Sequence, residues 1–211
     1  MLRVGLTGGI ACGKSVVRRR FEEEGVPTLD ADAVVHRLLE SGTKTTAEIA
    51  RTFGPGVLAS GGSVDRRALG RLVFADDEAR KRLNAIVHPR IYEAIEDFFR
   101  GAAAAGAPLA VVDAALMVET GSYERYDRIL VVHCTPAQQL ERLKERDGLS
   151  TEDAEQRIAA QMPIEEKVAY GDELVDTSGT LEETVARADE VLKKLRAAAA
   201  ANVPRPPGAP R

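Results

Sequence analysis

Residues 8–15, Gly-Gly-Ile-Ala-Cys-Gly-Lys-Ser, have the residue types and the spacing of a phosphate-binding loop. The pattern is G-x-x-x-x-G-K-[ST], and its four defining positions are Gly8, Gly13, Lys14 and Ser15. Glycine permits backbone angles at which successive N–H groups turn toward one phosphate. In such a loop Lys14 would reach the β- and γ-phosphates of a nucleotide, and the Ser15 hydroxyl would bind Mg²⁺.

This pattern is meaningful only with a strand before it and a helix after it. Residues 2–7 form a short apolar run that is typical of a buried parallel strand. Val16, Val17 and Phe21 are apolar at roughly helical spacing and predict a helix that ends at Gly25. The positive end of that helix dipole would point at the bound phosphate. The alternative is a glycine-rich turn with a chance Lys-Ser pair, which would not account for the strand before it or the helix after it.

Two carboxylates, Asp30 and Asp32, lie where the second predicted strand ends. In open α/β sheets, ligand-contacting residues gather at the carboxyl ends of strands, which favours a functional role for Asp30 and Asp32. Asp is also a preferred N-cap, so the alternative is that one of them caps the predicted helix over residues 33–40. We expect the two carboxylates to differ in role. His36 lies one turn after Asp32, so both would face the same cleft unless His36 is structural.

Residues 41–108 are predicted to be mainly helical, with apolar positions at helical spacing over 46–53, 65–74, 77–87 and 91–105. Because the residue before a proline is restricted, His88-Pro89 predicts a break between the last two helices. The excursion is too long for a simple crossover, so we interpret it as an insertion that holds a second substrate. Its arginines would serve an anionic ligand, or else form a solvated charged face.

Further buried strands are predicted over residues 108–113, 128–133 and 173–176, and a closing helix over 181–201. The first of these strands ends in Asp113, which is the pattern of a Walker B segment with its aspartate near the metal. Many buried strands end in Asp, so this signal alone is weak. Thr135 and Pro136 favour a helix start, as N-cap and first helical residue.

Arginines recur on the two helices predicted after residue 135. Arg142 and Arg146 are four residues apart and therefore on one face, and a helix starting at Ser150 would present Arg157 and Gln161. In a P-loop kinase a mobile lid is expected here, and its arginines would neutralise charge on the transferred phosphoryl group. The alternative is that each arginine is a surface salt-bridge partner.

Composition narrows the class of protein. The chain has 211 residues, 44% hydrophobic, with 4% aromatic residues, no Trp and a net charge of −4. These values disfavour a polyanion-binding surface and base-stacking platforms, so no nucleic-acid partner is predicted. Cys12 and Cys134 form neither a disulfide framework nor a metal-ligand cluster and fit a reducing cytosol. Cys12 is interpreted as a tolerated small residue rather than a nucleophile, although positive potential in the loop would favour its thiolate.

Two further predictions concern the location of the protein and the last ten residues of the sequence. The N-terminus enters a strand without the pattern of a signal peptide, and no apolar run reaches membrane length. We therefore predict a cytoplasmic protein without membrane association. Residues 202–211 contain four prolines and little that could be buried, so we predict that they are disordered.

Taken together, these segments resemble the dephospho-CoA kinase family. The matching stretches are the loop at 5–15, the Asp-Ala-Asp segment within 28–36, residues 65–91 with Phe-Ala-Asp and Ile-Val-His-Pro, residues 142–148, and Arg-Ile-Ala-Ala-Gln-Met-Pro at 157–163. They occur in the family's order and run from about residue 3 to 179. The phosphate loop is shared by many kinases, whereas the Asp-Ala-Asp and His-Pro segments are more specific.

The resemblance implies an α/β P-loop NTPase fold of three α/β/α layers, with a five-stranded parallel core sheet, a helical substrate-binding insertion and a helical lid. Implied boundaries are 1–43 and 109–201 for the nucleotide-binding core, about 142–165 for the lid, and 44–108 for the CoA-binding insertion. The implied reaction transfers the γ-phosphate of ATP to the 3′-hydroxyl of dephospho-CoA. A monomer or weak homo-oligomer is expected.

The resemblance also assigns roles to residues. Asp32 matches the proposed catalytic base, and Lys14 would hold the γ-phosphate together with Mg²⁺ on Ser15. Arg142 matches a position near the adenine of ATP, and Arg146 matches a phosphate contact. The implied ATP-binding residues are Gly9, Ala11, Cys12, Gly13, Lys14, Ser15, Val16, Arg142 and Arg146. The implied substrate-binding residues are Asp32, His36, His88, Glu119 and Arg157.

Three positions depart from the family pattern. Ala-Leu-Met-Val-Glu at 115–119 stands where Pro-Leu-Leu-Phe-Glu is common, so we expect a looser loop that still keeps Glu119. Thr177 replaces a usual Asn, which weakens an adenine contact there, and Val16 replaces a frequent Thr or Ser. None of these changes removes a group that the chemistry needs.

Two other functions compete with this interpretation. One is another small-molecule kinase of the same fold, acting on a nucleoside monophosphate or a sugar. The other is a nucleotide-switch module without a phosphate acceptor, which the helical insertion disfavours because a switch needs no second substrate pocket.

Overall fold

The structure, a computed structural model, describes residues 1–201, and of Ala75 only the backbone. The predicted disorder of residues 202–211 lies outside the described residues. The strands are β1 (Leu2–Gly8), β2 (Thr28–Asp30), β3 (Leu109–Asp113), β4 (Arg128–His133) and β5 (Glu173–Asp176). Every strand predicted from the apolar runs is therefore present.

The five strands form one sheet in the order β2-β3-β1-β4-β5. The central strand β1 is parallel to β3 and to β4, and β4 is parallel to β5. Strand β3 is buried at every residue and β1 at all but one, as required when helices cover both faces of a sheet. The predicted five-stranded parallel core of a P-loop fold is confirmed. In such sheets the ligand site lies at the carboxyl ends of the strands.

Two helices, α1 (Lys14–Glu23) and α9 (Leu181–Ala200), cover one face of this sheet. Val17 and Phe21 of α1 and Leu192 and Leu195 of α9 are almost fully buried against the strands. Burial of each side chain of this size contributes about 1.5–3 kcal/mol. The core therefore fixes α1, and with it the loop that leads into α1, on the central strand.

Three helices follow β4: α6 (Pro136–Asp147), α7 (Thr151–Ala159) and α8 (Ile164–Val168). Thr135 caps α6 with a capping box and Pro136 is its first residue, as the sequence predicts. The prediction that α7 presents Gln161 is wrong, because α7 ends at Ala159. Met162 precedes Pro163, and the residue before a proline avoids helical angles. The short helix α8 was not predicted.

The remaining helices are α2 (Ala31–Leu38), α3 (Lys44–Phe53), α4 (Arg66–Ala75) and α5 (Asp77–Ala104). They enclose a small core of their own, in which Ile49, Val57, Val64 and Leu69 pack with residues of α5. The helical interpretation of this region is confirmed, with α2 beginning two residues earlier than predicted.

The predicted helix break at His88-Pro89 is wrong, because α5 continues through Pro89. A proline inside a helix removes one N–H donor and crowds the preceding turn. Here the flanking turns are held by buried side chains, Ile86 and Val87 before the proline and Ile95 after it. The Arg90 guanidinium also donates to the Ile86 carbonyl and pairs with Glu48 of α3. These contacts outweigh the local preference for a break.

Contacts divide the chain into two compact units. One is Asp30–Phe98, which we call the helical unit, and the other contains Met1–Leu29 and the chain from Phe99 onward, which we call the sheet unit. The functional boundaries predicted from the sequence, with an insertion over 44–108, remain a prediction. Among residues 1–201, no helix has the length and apolar character to cross a membrane.

Candidate active site

The loop between β1 and α1 enters the left-handed backbone region twice, at Ala11 (φ 60°) and Gly13 (φ 78°). Alternation of backbone conformation in this way turns successive N–H groups toward one side and makes a concave anion site. Within residues 1–201, Ala11 is the one non-glycine residue with a positive φ. Its Cβ makes that conformation about 1–2 kcal/mol less favourable than it would be for glycine. Contacts from outside the loop must therefore hold its shape.

Three such contacts come from distant parts of the sheet unit. The Ile10 N–H donates to Gln161 Oε1 at 2.8 Å, and the Thr177 hydroxyl donates to the Cys12 carbonyl at 3.0 Å. At Gly8 a Cβ would collide with the Val132 carbonyl of β4, so only glycine permits this approach. The loop is clamped on β4, on the residue after β5 and on the segment after α7.

Lys14, the first residue of α1, forms an ion pair with Asp113 at the end of β3. Arg18, one turn along α1, places its Nε 3.6 Å from the other oxygen of this carboxylate. The Asp113 side chain is 5% exposed, and the two cationic neighbours compensate for the burial of its carboxylate. Asp113 therefore lies where the Walker B interpretation expects an aspartate, beside the phosphate-loop lysine.

Arg142 of α6 is connected to the loop through Thr177. Its guanidinium donates to the Thr177 hydroxyl at 3.1 Å and to the Thr177 carbonyl at 2.8 Å. Because the same hydroxyl donates to the Cys12 carbonyl, a hydrogen-bonded chain runs from α6 to the loop. Thr177, expected from the sequence to be a weakened adenine contact, thus has a structural role in positioning.

The other two predicted lid arginines meet at one carboxylate. Arg146 donates to both oxygens of Asp147, at 2.8 and 3.1 Å, and Arg157 of α7 donates to one of them at 2.8 Å. The hydrogen bonds from Arg146 and the charges of both arginines hold the pKa of Asp147 below its usual range. Both arginines are more than half exposed, so salt screens these pairs and they contribute little to stability. The structure brings these two arginines together at Asp147.

Glu119, predicted to bind substrate, pairs with a buried lysine. Its Oε1 accepts from Lys167 Nζ at 2.7 Å and from the Met162 N–H at 3.0 Å. The Lys167 side chain is fully buried and also donates to the Ala115 carbonyl at 3.0 Å. This cluster ties the segment after β3 to α8 and to the turn that carries Gln161, so Glu119 helps to position the clamp on the loop.

Replacement of Glu119 by Gln is expected to lower the free energy of unfolding by about 3 kcal/mol, because it leaves the Lys167 ammonium buried without its counter-charge. Replacement of Lys167 by Met should cost less, since Glu119 is 21% exposed and can reach water. Glu166→Gln, at an exposed position on the same helix as Lys167, is the matched control. Urea unfolding of the four proteins measures the difference. Equal stability of Glu119→Gln and Glu166→Gln would contradict a structural role for the pair.

The two early carboxylates have different surroundings, as expected. Asp30 accepts the Ala33 N–H at 2.9 Å and is the N-cap of α2. Asp32 is the second residue of α2 and is exposed, with its carboxylate in the first turn. Asp32 is therefore the one whose side chain does not serve as the cap.

Two histidines of the helical unit have identifiable neighbours. Arg66 Nη1 lies 2.6 Å from His36 Nε2, and the guanidinium can only donate in such a contact. His88 lies one turn before Tyr92 on α5, and the two rings are edge to face with centroids 5.8 Å apart.

The donor groups near the loop fit a magnesium ion. Ser15 at the start of α1 offers a hydroxyl, and Asp113 offers a buried carboxylate beside Lys14. Mg²⁺ prefers oxygen ligands and is usually held by one or two protein groups together with substrate phosphates. Among residues 1–201 no group of three or more His, Cys, Asp or Glu residues is arranged to hold a metal.

Lys167 helps to shape this site and was not proposed from the sequence. Lys167 lies in Ile-Glu-Glu-Lys-Val, whose polar composition favours an exposed segment. Gln161 was expected on the lid helix and Thr177 as a weakened adenine contact, but no sequence signal indicated their hydrogen bonds to the loop. For Asp113 a signal existed, since the Walker B pattern pointed to it.

Comparison with known proteins gives a consistent result. A family model described as dephospho-CoA kinase matches residues 2–183. Among curated proteins, a dephospho-CoA kinase from Geobacter sulfurreducens is 45% identical over 191 residues, which cover 90% of this chain and 97% of that protein.

Solved structures also share this fold. A crystal structure of a Thermus thermophilus protein has a TM-score of 0.82 at 35% identity and covers 92% of this chain and 96% of its own. A structure described as dephospho-CoA kinase from Campylobacter jejuni has a TM-score of 0.71 at 26% identity and covers 95% of this chain and 98% of its own. The similarity therefore spans both units and nearly the full length of each protein.

Proposed function

The chain belongs to the dephospho-CoA kinase family, a family of kinases in coenzyme A biosynthesis. We propose which of its residues bind the substrates and which take part in phosphoryl transfer. In the proposed reaction the γ-phosphate of ATP passes to the 3′-hydroxyl of the dephospho-CoA ribose, giving CoA and ADP. The observation that carries this proposal is the phosphate-binding loop, held by distant contacts and followed by Lys14, which pairs with Asp113 at the end of β3. The chain also matches the family model over residues 2–183.

ATP is proposed to bind with its phosphates in the loop over residues 9–16. The backbone N–H groups and the N-terminus of α1 supply positive potential, and Lys14 would leave Asp113 to contact the β- and γ-phosphates. Asp113 then keeps Arg18 as a cationic neighbour. Mg²⁺, held by Ser15 and Asp113, would neutralise charge on the β- and γ-phosphate oxygens.

Asp32 is proposed as the base that accepts the proton of the attacking 3′-hydroxyl. Its exposed carboxylate in the first turn of α2 has no capping role, in contrast to Asp30, so it is available to a substrate. His36 and His88 in the helical unit, and Glu119 and Arg157 in the sheet unit, are proposed on the substrate side. We also propose that residues 44–108 supply the CoA-binding part of the protein.

The lid is proposed to comprise about residues 142–165. Arg142 would lie near the adenine, where Thr177 holds its guanidinium. Arg146 and Arg157 share Asp147, which orients both side chains and lets either exchange that carboxylate for a phosphate. Such exchange suits groups that must neutralise charge only while phosphoryl transfer occurs.

The proposed partners are ATP and dephospho-CoA, without nucleic acid or membrane. A net charge of −4 and the low aromatic content support the absence of a nucleic-acid partner. The two cysteines, which form no disulfide framework, support a cytoplasmic location. We propose a monomer or a weak homo-oligomer.

The test is release of ADP from MgATP with dephospho-CoA as acceptor, with adenosine and AMP as competing acceptors and mass spectrometry of the CoA product. Gain of one phosphate by dephospho-CoA alone is the expected result. Equal or faster phosphorylation of AMP would point to another kinase of this fold. Release of ADP that is independent of any acceptor would favour a nucleotide switch instead.

A further inference from the structure

The two cysteines of the chain meet inside the candidate active site. Cys12 lies in the phosphate-binding loop and is fully buried, and Cys134 follows β4 and is 4% exposed. Their sulfur atoms are 3.5 Å apart although 122 residues separate them in the sequence. Their positions in the sequence do not indicate this contact. Both cysteines are free thiols.

We propose that Cys12 and Cys134 are a modification site, a dithiol that hydrogen peroxide converts into an intramolecular disulfide, and that this disulfide weakens nucleotide binding. The sulfur atoms need to approach by about 1.5 Å, from 3.5 Å to the S–S bond length of about 2.05 Å. Both residues lie in connecting segments rather than inside a helix or strand, where small backbone adjustments are easiest.

An entry route for the oxidant ends at Cys134. A cavity of about 310 Å³ in the sheet unit is lined by Cys134 and its neighbours His133 and Thr135, together with residues of α8 and Asp176 at the end of β5. A peroxide molecule is far smaller than this volume. Cys134 is therefore the first sulfur to be oxidised, and Cys12 behind it is the second.

The electrostatic surroundings give the two thiols different roles. The hydrogen bond with Cys12 and the positive charge of Arg142 lower the pKa of Cys134, although burial and the negative charge of Asp176 oppose this. The hydrogen bond with Cys134, burial and the negative charge of Cys134 raise the pKa of Cys12. The thiolate is the reactive form of cysteine, so Cys134 attacks first. Conversion of Cys134 to an uncharged sulfenic acid then removes the charge that opposes ionisation of Cys12.

The chemistry balances in two steps. In the first, the Cys134 thiolate attacks one peroxide oxygen, the O–O bond breaks, and the departing hydroxide takes a proton to give water and a sulfenic acid. In the second, the Cys12 sulfur attacks the sulfenic sulfur, the S–O bond breaks, and the departing hydroxide leaves as water with the Cys12 proton. Two thiols lose two electrons and two protons in total, and one peroxide becomes two waters.

The disulfide would change the shape of the loop, because the backbone of Cys12 is hydrogen-bonded through both its N–H and its carbonyl. Its N–H donates to the Gly9 carbonyl at 3.2 Å and its carbonyl accepts from Thr177 at 3.0 Å. There is little free space, since a Cβ at Gly9 would lie 2.9 Å from the Cys12 sulfur. A shift of Cys12 toward Cys134 therefore moves N–H groups that are proposed to hold phosphate. In a catalytic site a displacement of about 1 Å can lower the reaction rate on the order of 10²-fold, and we expect an effect of up to this size on phosphate binding.

The first experiment maps the bond in the full-length protein. After treatment with hydrogen peroxide and blocking of free thiols, digestion without reductant should yield one cross-linked pair of peptides, one with Cys12 and one with Cys134. A mass two hydrogens below that of the reduced monomer is expected. Free alkylated thiols, a sulfinic acid at Cys134 without a cross-link, or a disulfide between two chains would each overturn the proposal.

The second experiment measures affinity for MgADP by calorimetry, before oxidation, after it, and after reduction with dithiothreitol. Affinity should fall by about 10-fold to 10²-fold on oxidation and recover on reduction, following the sensitivity of loop geometry given above. Cys134→Ala should keep the affinity of the reduced protein and be indifferent to peroxide. Unchanged affinity in protein shown to contain the disulfide would overturn the coupling to nucleotide binding.

This coupling rests on nucleotide binding by the loop, which is part of the proposed function, whereas disulfide formation does not. If the reduced protein bound no MgADP, the proposed function would fail and the peptide map would still decide the disulfide. If the reduced protein bound MgADP and phosphorylated dephospho-CoA, the two experiments above would test the dithiol alone.

Discussion

Replacement of Asp32 by Asn is expected to lower kcat by about 10²–10⁴-fold, the range that a positioned general base contributes. Asn has nearly the same shape but cannot accept the proton of the 3′-hydroxyl as the oxygen attacks. Asp32 is exposed and does not cap α2, so folding should be affected by at most the loss of a helix-dipole interaction, about 0.3–1 kcal/mol. Coupled measurement of ADP release gives kcat, and calorimetry gives the affinity for ATP, which should not change.

A matched control is Asp77→Asn. Asp77 is likewise an exposed carboxylate in the first turn of a helix, α5, and it has no proposed role in the reaction. It should retain the kcat of the unaltered protein. Near-normal turnover in Asp32→Asn would remove Asp32 as the base, whatever the control shows. Loss of turnover in both variants would indicate a general effect of charge in the helical unit.

Lys14→Met is the second substitution from which we expect a large effect. It keeps the apolar stem of Lys14 and removes the ammonium group proposed to contact the β- and γ-phosphates. Loss of one such electrostatic contact costs about 10²–10³-fold in kcat. Because the same group binds ATP in the ground state, KM for ATP should rise as well. Steady-state kinetics with varied ATP separates the two effects.

Lys14 also neutralises the buried Asp113, so stability must be followed in parallel. The double variant Lys14→Met with Asp113→Asn removes the buried negative charge together with Lys14. It should recover part of any lost stability, since Arg18 then loses its contact with Asp113, and it should not recover turnover. Lys81→Met is the control for the substitution itself, since Lys81 lies in the helical unit, is 73% exposed and pairs with the equally exposed Glu78. Unchanged turnover in folded Lys14→Met would refute the assignment of the loop.

The parts of the molecule that could be predicted are those coded by local sequence. The loop pattern, the apolar runs of the strands and the caps at Thr135 and Asp30 each depend on residues within a few positions of one another. Such signals survive in any fold that keeps those segments intact. The same holds for the family-specific Asp-Ala-Asp segment, which points to Asp32 through three adjacent residues.

What could not be predicted depends on partners far along the chain. Pro89 has a strong local preference for a helix break, and packing around Ile86, Val87 and Ile95 overrides it. Lys167 is polar in an acidic segment, yet it is fully buried because Glu119, 48 residues earlier, supplies the compensating charge. No local pattern contains that information.

The clamps on the phosphate-binding loop also have a consequence for the order in which the protein acquires its properties. The acceptor for Ile10 lies 151 residues downstream, and the donor to Cys12 lies 165 residues downstream. During synthesis the loop sequence is therefore made well before either of these partners. Since Ala11 resists the required conformation and contacts between distant residues form slowly, we expect the loop to take its shape only after both partners have packed against it. We therefore expect nucleotide binding only from chains in which both distant partners of the loop are in place.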